Sequence, residues 1–116
     1  MAAERKSLIW KGLGDAHYRF WFFDHSLSGL GSQSGVYMFV RLVGGVWHPV
    51  YVGIADDLLA RLTNHERWAE AVQLGATGVV AQAQALAGAR QTTERSLIGL
   101  WNPPLNTHYR TDRRAG

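Results

Sequence analysis

Two runs of β-branched and aromatic residues flank a pair of glycines, and this pattern constrains the fold more than any other feature. The runs cover residues 36–43 and 46–52, with Gly44 and Gly45 between them. Glycine adopts the positive φ of a two-residue hairpin turn without steric cost, so the pattern predicts an antiparallel hairpin. Pro49 cannot donate to a neighbouring strand, which predicts an edge position or a bulge in the second run.

The segments after the hairpin predict helices and one more strand. Asp56 and Asp57 are expected to begin a first helix, and a second is expected over about residues 68–74. Alternation over residues 77–86 indicates a third strand, and a last helix is expected from about 89 to 101. The element order predicts an α+β domain in which helices flank a small three-stranded antiparallel sheet.

A glycine- and serine-rich stretch over residues 26–35 is expected to be a loop. It separates an N-terminal extension, residues 1–34, from a core of residues 35–106. The extension carries five aromatic residues within Tyr18–Phe23. Two interpretations of this run stay open: an extra strand or arm that packs the extension onto the sheet, or a surface that stacks on unpaired bases.

Length and composition narrow the class of protein. The chain of 116 residues fits one domain with a single core. It has no cysteine, which excludes disulfides, thiol nucleophiles, iron–sulfur clusters and cysteine-based zinc sites. There is no apolar run of about 18 residues and no apolar N-terminal signal segment, so we expect a cytoplasmic domain without membrane contact.

The charge is mildly basic overall and uneven along the chain. The net charge is +3, and residues 75–116 alone have a net charge of +3. This region includes a basic tail, residues 107–116, and its charged residues are Arg90, Glu94, Arg95, Arg110, Asp112, Arg113 and Arg114. Arginine suits bidentate contact with phosphate, although a basic end is also compatible with simple solvation.

Four residues in the predicted elements suggest chemistry on a phosphodiester. Tyr37 and Tyr51 lie near the centres of the hairpin strands, and Arg61 follows Tyr51 by ten residues on the next helix. Glu94 lies on or beside the buried face of the last helix, where a carboxylate is costly unless it is paired or binds a metal. These residues also have purely structural interpretations. Tyr37 and Tyr51 are then half-buried strand residues, Arg61 lies with His65 on an exposed helix face, and Glu94 forms an i, i+4 pair with Arg90.

The residues also match the pattern of a known family over about residues 35–106. The match consists of Gly35-Val36-Tyr37, Tyr51-Val52-Gly53, Arg61, His65, Glu94 and Pro103-Pro104-Leu105-Asn106. In this order and spacing the chain resembles the GIY-YIG endonuclease domain. That family includes the N-terminal nuclease of the UvrC repair protein, homing endonucleases and structure-selective nucleases. The resemblance implies a three-stranded antiparallel sheet flanked by helices.

The resemblance implies a role for each matching residue. Tyr37 and Tyr51 are the paired tyrosines; one is the general base toward the attacking water, and we favour Tyr37. Arg61 neutralises charge that develops on the phosphate, Glu94 holds one Mg²⁺ or Mn²⁺, and Asn106 supports the site by hydrogen bonding. An unperturbed tyrosine has a pKa of about 10, so the base needs a neighbour that lowers it.

The implied activity is metal-dependent hydrolysis of DNA that leaves 5′-phosphate and 3′-hydroxyl ends. His65 stands where many family members have a histidine that assists proton transfer or orients the phosphate. Candidate contacts to nucleic acid are Arg61, Arg90, Arg95 and Arg110. We expect little intrinsic sequence specificity, with targeting supplied by the shape of branched, flapped or damaged DNA, by a protein partner or by a homodimer. The alternative is a catalytically silent nucleic-acid-binding or partner-docking module with the same fold.

Overall fold

The computed structural model describes residues 5–24 and 26–107, and these form one antiparallel sheet with helices on both faces. The elements are β1 (Ser7–Lys11), β2 (His17–Phe23), β3 (Gly35–Val43), β4 (Val46–Ala55), α1 (Leu58–Thr63), α2 (Trp68–Gln73), β5 (Gly78–Ala83) and α3 (Ala87–Trp101). The strand order is β1-β2-β5-β3-β4. The expected α+β class is confirmed. The expected number of three strands is wrong, because the N-terminal extension adds two more to the same sheet.

The glycine turn and the proline act as the sequence predicts. Gly44 and Gly45 have φ values of 57° and 81°, and they join β3 to β4 in a hairpin. Phe39 pairs with Tyr51, whereas the next residue of β3 pairs with Pro49. One residue of β4 is therefore extra, which makes a bulge. β4 is also an edge strand, so the missing N–H of Pro49 leaves no partner unsatisfied.

The aromatic run of the N-terminal extension is strand β2, which pairs with β5. Of the two interpretations, the extra strand is the one the fold shows. Phe20 is completely buried, and Trp10 of β1 is 3% exposed on the same face. Trp21 points to the other face and keeps 38% of its surface exposed.

Helix α1 begins at Leu58, after both of the aspartates that were expected to begin it. Asp57 alone is its N-cap, and its carboxylate accepts a hydrogen bond of 2.9 Å from the amide of Ala60. Asp56 precedes the helix and forms an ion pair of 3.3 Å with Arg90. Because α1 ends at Thr63, His65 lies in the connection to α2 and is not on a helix face with Arg61.

The sheet has a separate apolar core on each face. The core that includes Tyr37, Phe39 and Leu58 is covered by α1 and α2, and we call this side the α1 face. The core that includes Met38 and Leu97 is covered by α3, and we call that side the α3 face. Within the described residues, no helix is long and apolar enough to cross a membrane.

Candidate active site

The two glycines of the family-like motif allow the sheet to close tightly around Tyr37. Tyr37 lies in the interior strand β3, is 1% exposed, and pairs with Gly53 of β4. A Cβ at Gly53 would overlap the hydroxyl and ring of Tyr37. A Cβ at Gly35 would overlap the carbonyl oxygen of Gln82 on β5. Both positions therefore need glycine because another group occupies the space of a side chain.

A short hydrogen bond joins Tyr37 to His65. The Tyr37 hydroxyl oxygen lies 2.6 Å from His65 Nε2, and the backbone N–H of Arg67 donates to His65 Nδ1 at 3.0 Å. A neutral imidazole has one nitrogen that donates and one that accepts. Since Nδ1 accepts, the proton lies on Nε2, and Nε2–H donates to the oxygen of Tyr37. The backbone of Arg67 thus fixes the tautomer of the histidine.

The pKa shifts of this pair agree with a neutral histidine. Burial lowers the pKa of His65 to about 4, and the positive charge of Arg61 adds to the effect. Burial also raises the pKa of Tyr37 above its ordinary value, with the neighbouring Tyr51 phenol adding to the rise. Arg61 acts in the opposite direction through its charge and a hydrogen bond to Tyr37. Without a bound substrate, Tyr37 is therefore a neutral phenol near pH 7.

Arg61 is held in place by a bidentate ion pair. Its Nη1 and Nη2 donate to the two carboxylate oxygens of Glu66 at 2.7 and 2.8 Å. The pair raises the pKa of the Arg61 guanidinium and lowers the pKa of Glu66 to about 2. Both groups stay charged, and the fork geometry fixes the plane of the guanidinium. Sequence reasoning missed Glu66 because it follows Arg61 by five residues, beyond the end of the helix.

A cavity of about 350 Å³ brings the remaining expected residues together. It is lined by Tyr51, Arg67, Glu94, Ile98, Leu105, Asn106 and Thr107. Glu94 is half-buried, since it lies one turn before the fully buried Ile98 on α3. The fold therefore places a carboxylate from α3 beside a phenol from β4, although 43 positions separate Tyr51 from Glu94 in the sequence.

The aromatic rings connect this cavity to the Tyr37–His65 pair. The ring centre of Tyr51 lies 6.2 Å from that of Tyr37 and 5.5 Å from that of His65. Phe39 packs beneath them, with its ring 4.8 Å from His65 and 5.0 Å from Trp68. The two tyrosines, the histidine and the cavity thus form one continuous site at the edge of the α1 face.

Asn106 is buried and supports the backbone of the site. Its Oδ1 accepts a hydrogen bond from the amide of Val52, and its Nδ2 donates to the carbonyl of Val52, both at 2.8 Å. This two-bond clamp ties the segment after α3 to the outer edge of β4, next to Tyr51 and Gly53.

The arginines proposed to contact nucleic acid are in different environments. The guanidinium of Arg90 is buried and donates at 2.9 Å to the carbonyl oxygens of Gln84 and Ala85. These contacts fix the segment before α3 and do not support a direct contact with phosphate. Arg95 is exposed on α3, and Arg110 lies outside the described residues.

The donor set fits a cation held largely by water. Among residues 5–24 and 26–107, no group of three or more His, Asp or Glu side chains is placed to hold a metal ion. Mg²⁺ is commonly held by only one or two carboxylates, and the remaining positions are filled by water and substrate oxygens. Glu94, in a cavity with room for water, satisfies that requirement.

Comparison with models of known protein families, with curated proteins and with solved structures gives no match for this chain.

Proposed function

We propose that the protein is a metal-dependent endonuclease of the GIY-YIG type that hydrolyses DNA phosphodiester bonds. The observation that carries the proposal is the convergence of Tyr51 and Glu94 in one cavity, beside the Tyr37–His65 pair. These residues come from β3, β4, the α1–α2 connection and α3. A set of phenols, a fixed arginine and a half-buried carboxylate suits stabilisation of a charged phosphate and transfer of a proton.

Tyr37 is the residue we assign as general base. His65 Nε2–H donates to its oxygen, and the positive charge of Arg61 nearby also favours the phenolate over the phenol. Burial opposes this and keeps the phenol neutral in the free protein. Tyr37 therefore acts as a base only after its phenol proton has passed to solvent water, and the resulting phenolate then accepts a proton from the attacking water.

The other residues bind and orient the phosphate. Arg61, with its plane fixed by Glu66, supplies a positive charge that needs no reorganisation during the reaction. Tyr51 orients the attacking water or the phosphate from the rim of the cavity. Glu94 would hold the divalent cation, which when bound supplies Lewis-acid stabilisation of the departing 3′-oxygen.

A second candidate is a nucleic-acid-binding module that has the fold without turnover. The observation that favours it is the burial of Tyr37, which is 1% exposed and has a raised pKa. If no substrate reaches this phenol, the Tyr37–His65 hydrogen bond serves only to join β3 to the α1–α2 connection.

A cleavage assay with supercoiled plasmid and with linear, flapped and four-way DNA separates the two candidates. With Mg²⁺ or Mn²⁺ we expect nicking that a chelator abolishes and that rises from pH 7 to pH 9, because the phenolate form of Tyr37 increases. Glu94→Gln should lower the rate by about a thousandfold, as expected for removal of a charge that acts in the transition state.

Asp15→Asn is the matched control, because it makes the same carboxylate-to-amide change in the turn between β1 and β2. It should cleave at the rate of the unmodified protein. Cleavage that survives either the chelator or Glu94→Gln would rule out the proposed mechanism. Binding of DNA without cleavage of any substrate would favour the silent module.

A further inference from the structure

The β1–β2 hairpin continues the α1 face, which carries the candidate active site. Residues opposite one another in an antiparallel sheet share a face. One such row crosses all five strands, and it runs through Gly53, Tyr37, Ala81, Trp21 and Ser7. Adjacent strands are about 4.8 Å apart, so the Cα of Trp21 lies roughly 10 Å from that of Tyr37.

The hairpin exposes a basic and aromatic surface on this face. Trp21 is 38% exposed, and Ile9 is 56% exposed opposite Arg19. The next pair on the same face is Lys11 with His17, and both are exposed. We call these residues, Ile9, Lys11, His17, Arg19 and Trp21, the hairpin surface.

The charge of the hairpin surface has one sign. Neither β1 nor β2 contains an acidic residue; the acidic residues nearest in sequence are Asp15, in the turn that joins the strands, and Asp24, which follows β2. In the part of the chain that the structure describes, no carboxylate pairs with Lys11 or Arg19; Arg19 Nη1 donates to the Ser7 hydroxyl at 2.8 Å. An uncompensated basic surface complements a phosphate backbone, and an indole beside it offers a face on which a base can stack.

Trp21 also borders an open cavity of about 280 Å³ between the hairpin and the loop that precedes β3. Gly31, Gln33 and Leu58 line its other side. The loop and α1 lie between the hairpin surface and Tyr37, so a strand bound at both places passes across them. The cavity leaves room for a planar ring against the indole of Trp21.

We infer that the hairpin surface binds an unpaired nucleic acid strand that flanks the cleaved bond. The inference rests on the proposed nuclease function and specifies its substrate class, DNA with a single-stranded segment such as a flap. Arg19 and Lys11 contact phosphates, and Trp21 stacks on a base. The cavity that contains Tyr51 and Glu94 lies beside β4, three strand spacings or about 14 Å from β2, so these contacts are a few nucleotides from the reacting phosphate.

Binding is measured by fluorescence anisotropy in a chelator, with a labelled 20-nucleotide single strand and a duplex of the same sequence, at several salt concentrations. Arg19→Glu should weaken single-strand binding about tenfold and reduce the slope of log affinity against log salt by about 0.7. Lys6→Glu is the matched control: it makes the same change in charge next to β1, but Lys6 Nζ lies over Phe22 on the α3 face. It should change affinity less than twofold.

Trp21→Ala should weaken single-strand binding about tenfold and leave duplex binding within twofold, because only unpaired bases can stack on the indole. Thermal unfolding of each variant verifies that the sheet is intact. Equal losses for Arg19→Glu and Lys6→Glu overturn the inference, since only overall charge would then matter. Equal losses of single-strand and duplex binding for Trp21→Ala overturn the assignment of the substrate class.

The chelator keeps this experiment separate from the test of cleavage. If Arg19→Glu weakens binding selectively but the protein cleaves nothing, the nuclease proposal fails and the hairpin surface remains a binding site. If the protein cleaves DNA and Arg19→Glu behaves like Lys6→Glu, the hairpin surface is excluded and the nuclease proposal remains.

Discussion

The two hairpins of the sheet differ in how much of each is covered. In β3, every residue from Gly35 to Val40 is buried, because helices pack on both faces of this interior strand. In β1 and β2, the side chains on the α3 face are buried or half-buried and the α1 face is open, with Ile9 and Trp21 exposed. Burial on both sides fixes Tyr37 against His65 but makes its phenolate costly. Because the α1 face of β1 and β2 is open, the charged side chains of that hairpin lie in solvent, where a polyanion can bind them.

The largest expected effect on stability concerns Gly53 in the buried hairpin. Gly53→Ala should lower the free energy of unfolding by about 3 kcal/mol, because the added methyl group displaces the Tyr37 ring and breaks the hydrogen bond between the Tyr37 hydroxyl and His65. Chemical denaturation measures this change in the free energy of unfolding. Gly88→Ala is the control: it lies in α3 with open space around it, and alanine favours a helix by about 0.5–1 kcal/mol.

A double variant locates the cause of that loss. Tyr37→Phe removes the hydroxyl that a Cβ at Gly53 would meet, so it should recover part of the stability of Gly53→Ala. If the loss of stability in the double variant equals the sum of the losses in the two single variants, the two positions do not overlap directly.

Features of the fold that depend on neighbouring residues could be predicted from the sequence, whereas the pairing of distant segments could not. The hairpin turn at Gly44 and Gly45, the bulge at Pro49 and the N-cap at Asp57 depend on the chemistry of one or two neighbouring residues. The pairing of Trp21 with Ala81 joins segments 60 positions apart, and nothing in either segment specifies its partner. The count of three strands was wrong for that reason.

In the candidate site, too, some features could be predicted from the sequence and others could not. Residue types and spacing identified Tyr37, Tyr51, Arg61, His65, Glu94 and Asn106 as candidates, and the fold gathers them around the edge of the α1 face. Spacing could not show that Glu66 fixes Arg61, or that the amide of Arg67 sets the tautomer of His65. Both interactions arise because α1 ends at Thr63 and the chain turns there.

A smaller effect is expected from pH. The pKa of His65 is about 4 in the folded protein and about 6.5 when unfolded, so the unfolded chain binds more protons between these values. Stability should therefore be full well above pH 6.5 and fall by about 2.5 kcal/mol as the pH decreases from 7.5 to 4.5, since each unit of the pKa difference corresponds to about 1.4 kcal/mol. Glu66, whose pKa is lowered to about 2, loses its contribution only below about pH 4.5.

Chemical denaturation at pH 4.5, 5.5, 6.5 and 7.5 measures this dependence. His65→Gln should be less stable at pH 7.5 and should show a flatter profile between pH 4.5 and 6.5. His17→Gln, which changes an exposed histidine, should keep the profile of the unmodified protein. An unchanged slope in His65→Gln would assign the acid sensitivity to other groups.

The smallest expected effect tests whether the open hairpin is as exposed as its geometry indicates. Ile9→Thr keeps a β-branched side chain on the hairpin surface, and since Ile9 is 56% exposed it should change the free energy of unfolding by less than about 0.5 kcal/mol. Val36→Thr is the counterpart in β3, where the side chain is completely buried, and the added hydroxyl should cost about 1–3 kcal/mol. Equal losses at the two positions would mean that something covers the α1 face of β1 in solution. In that case the charges of Lys11 and Arg19 would not be accessible to a nucleic acid strand, and only the buried hairpin would remain as the basis of function.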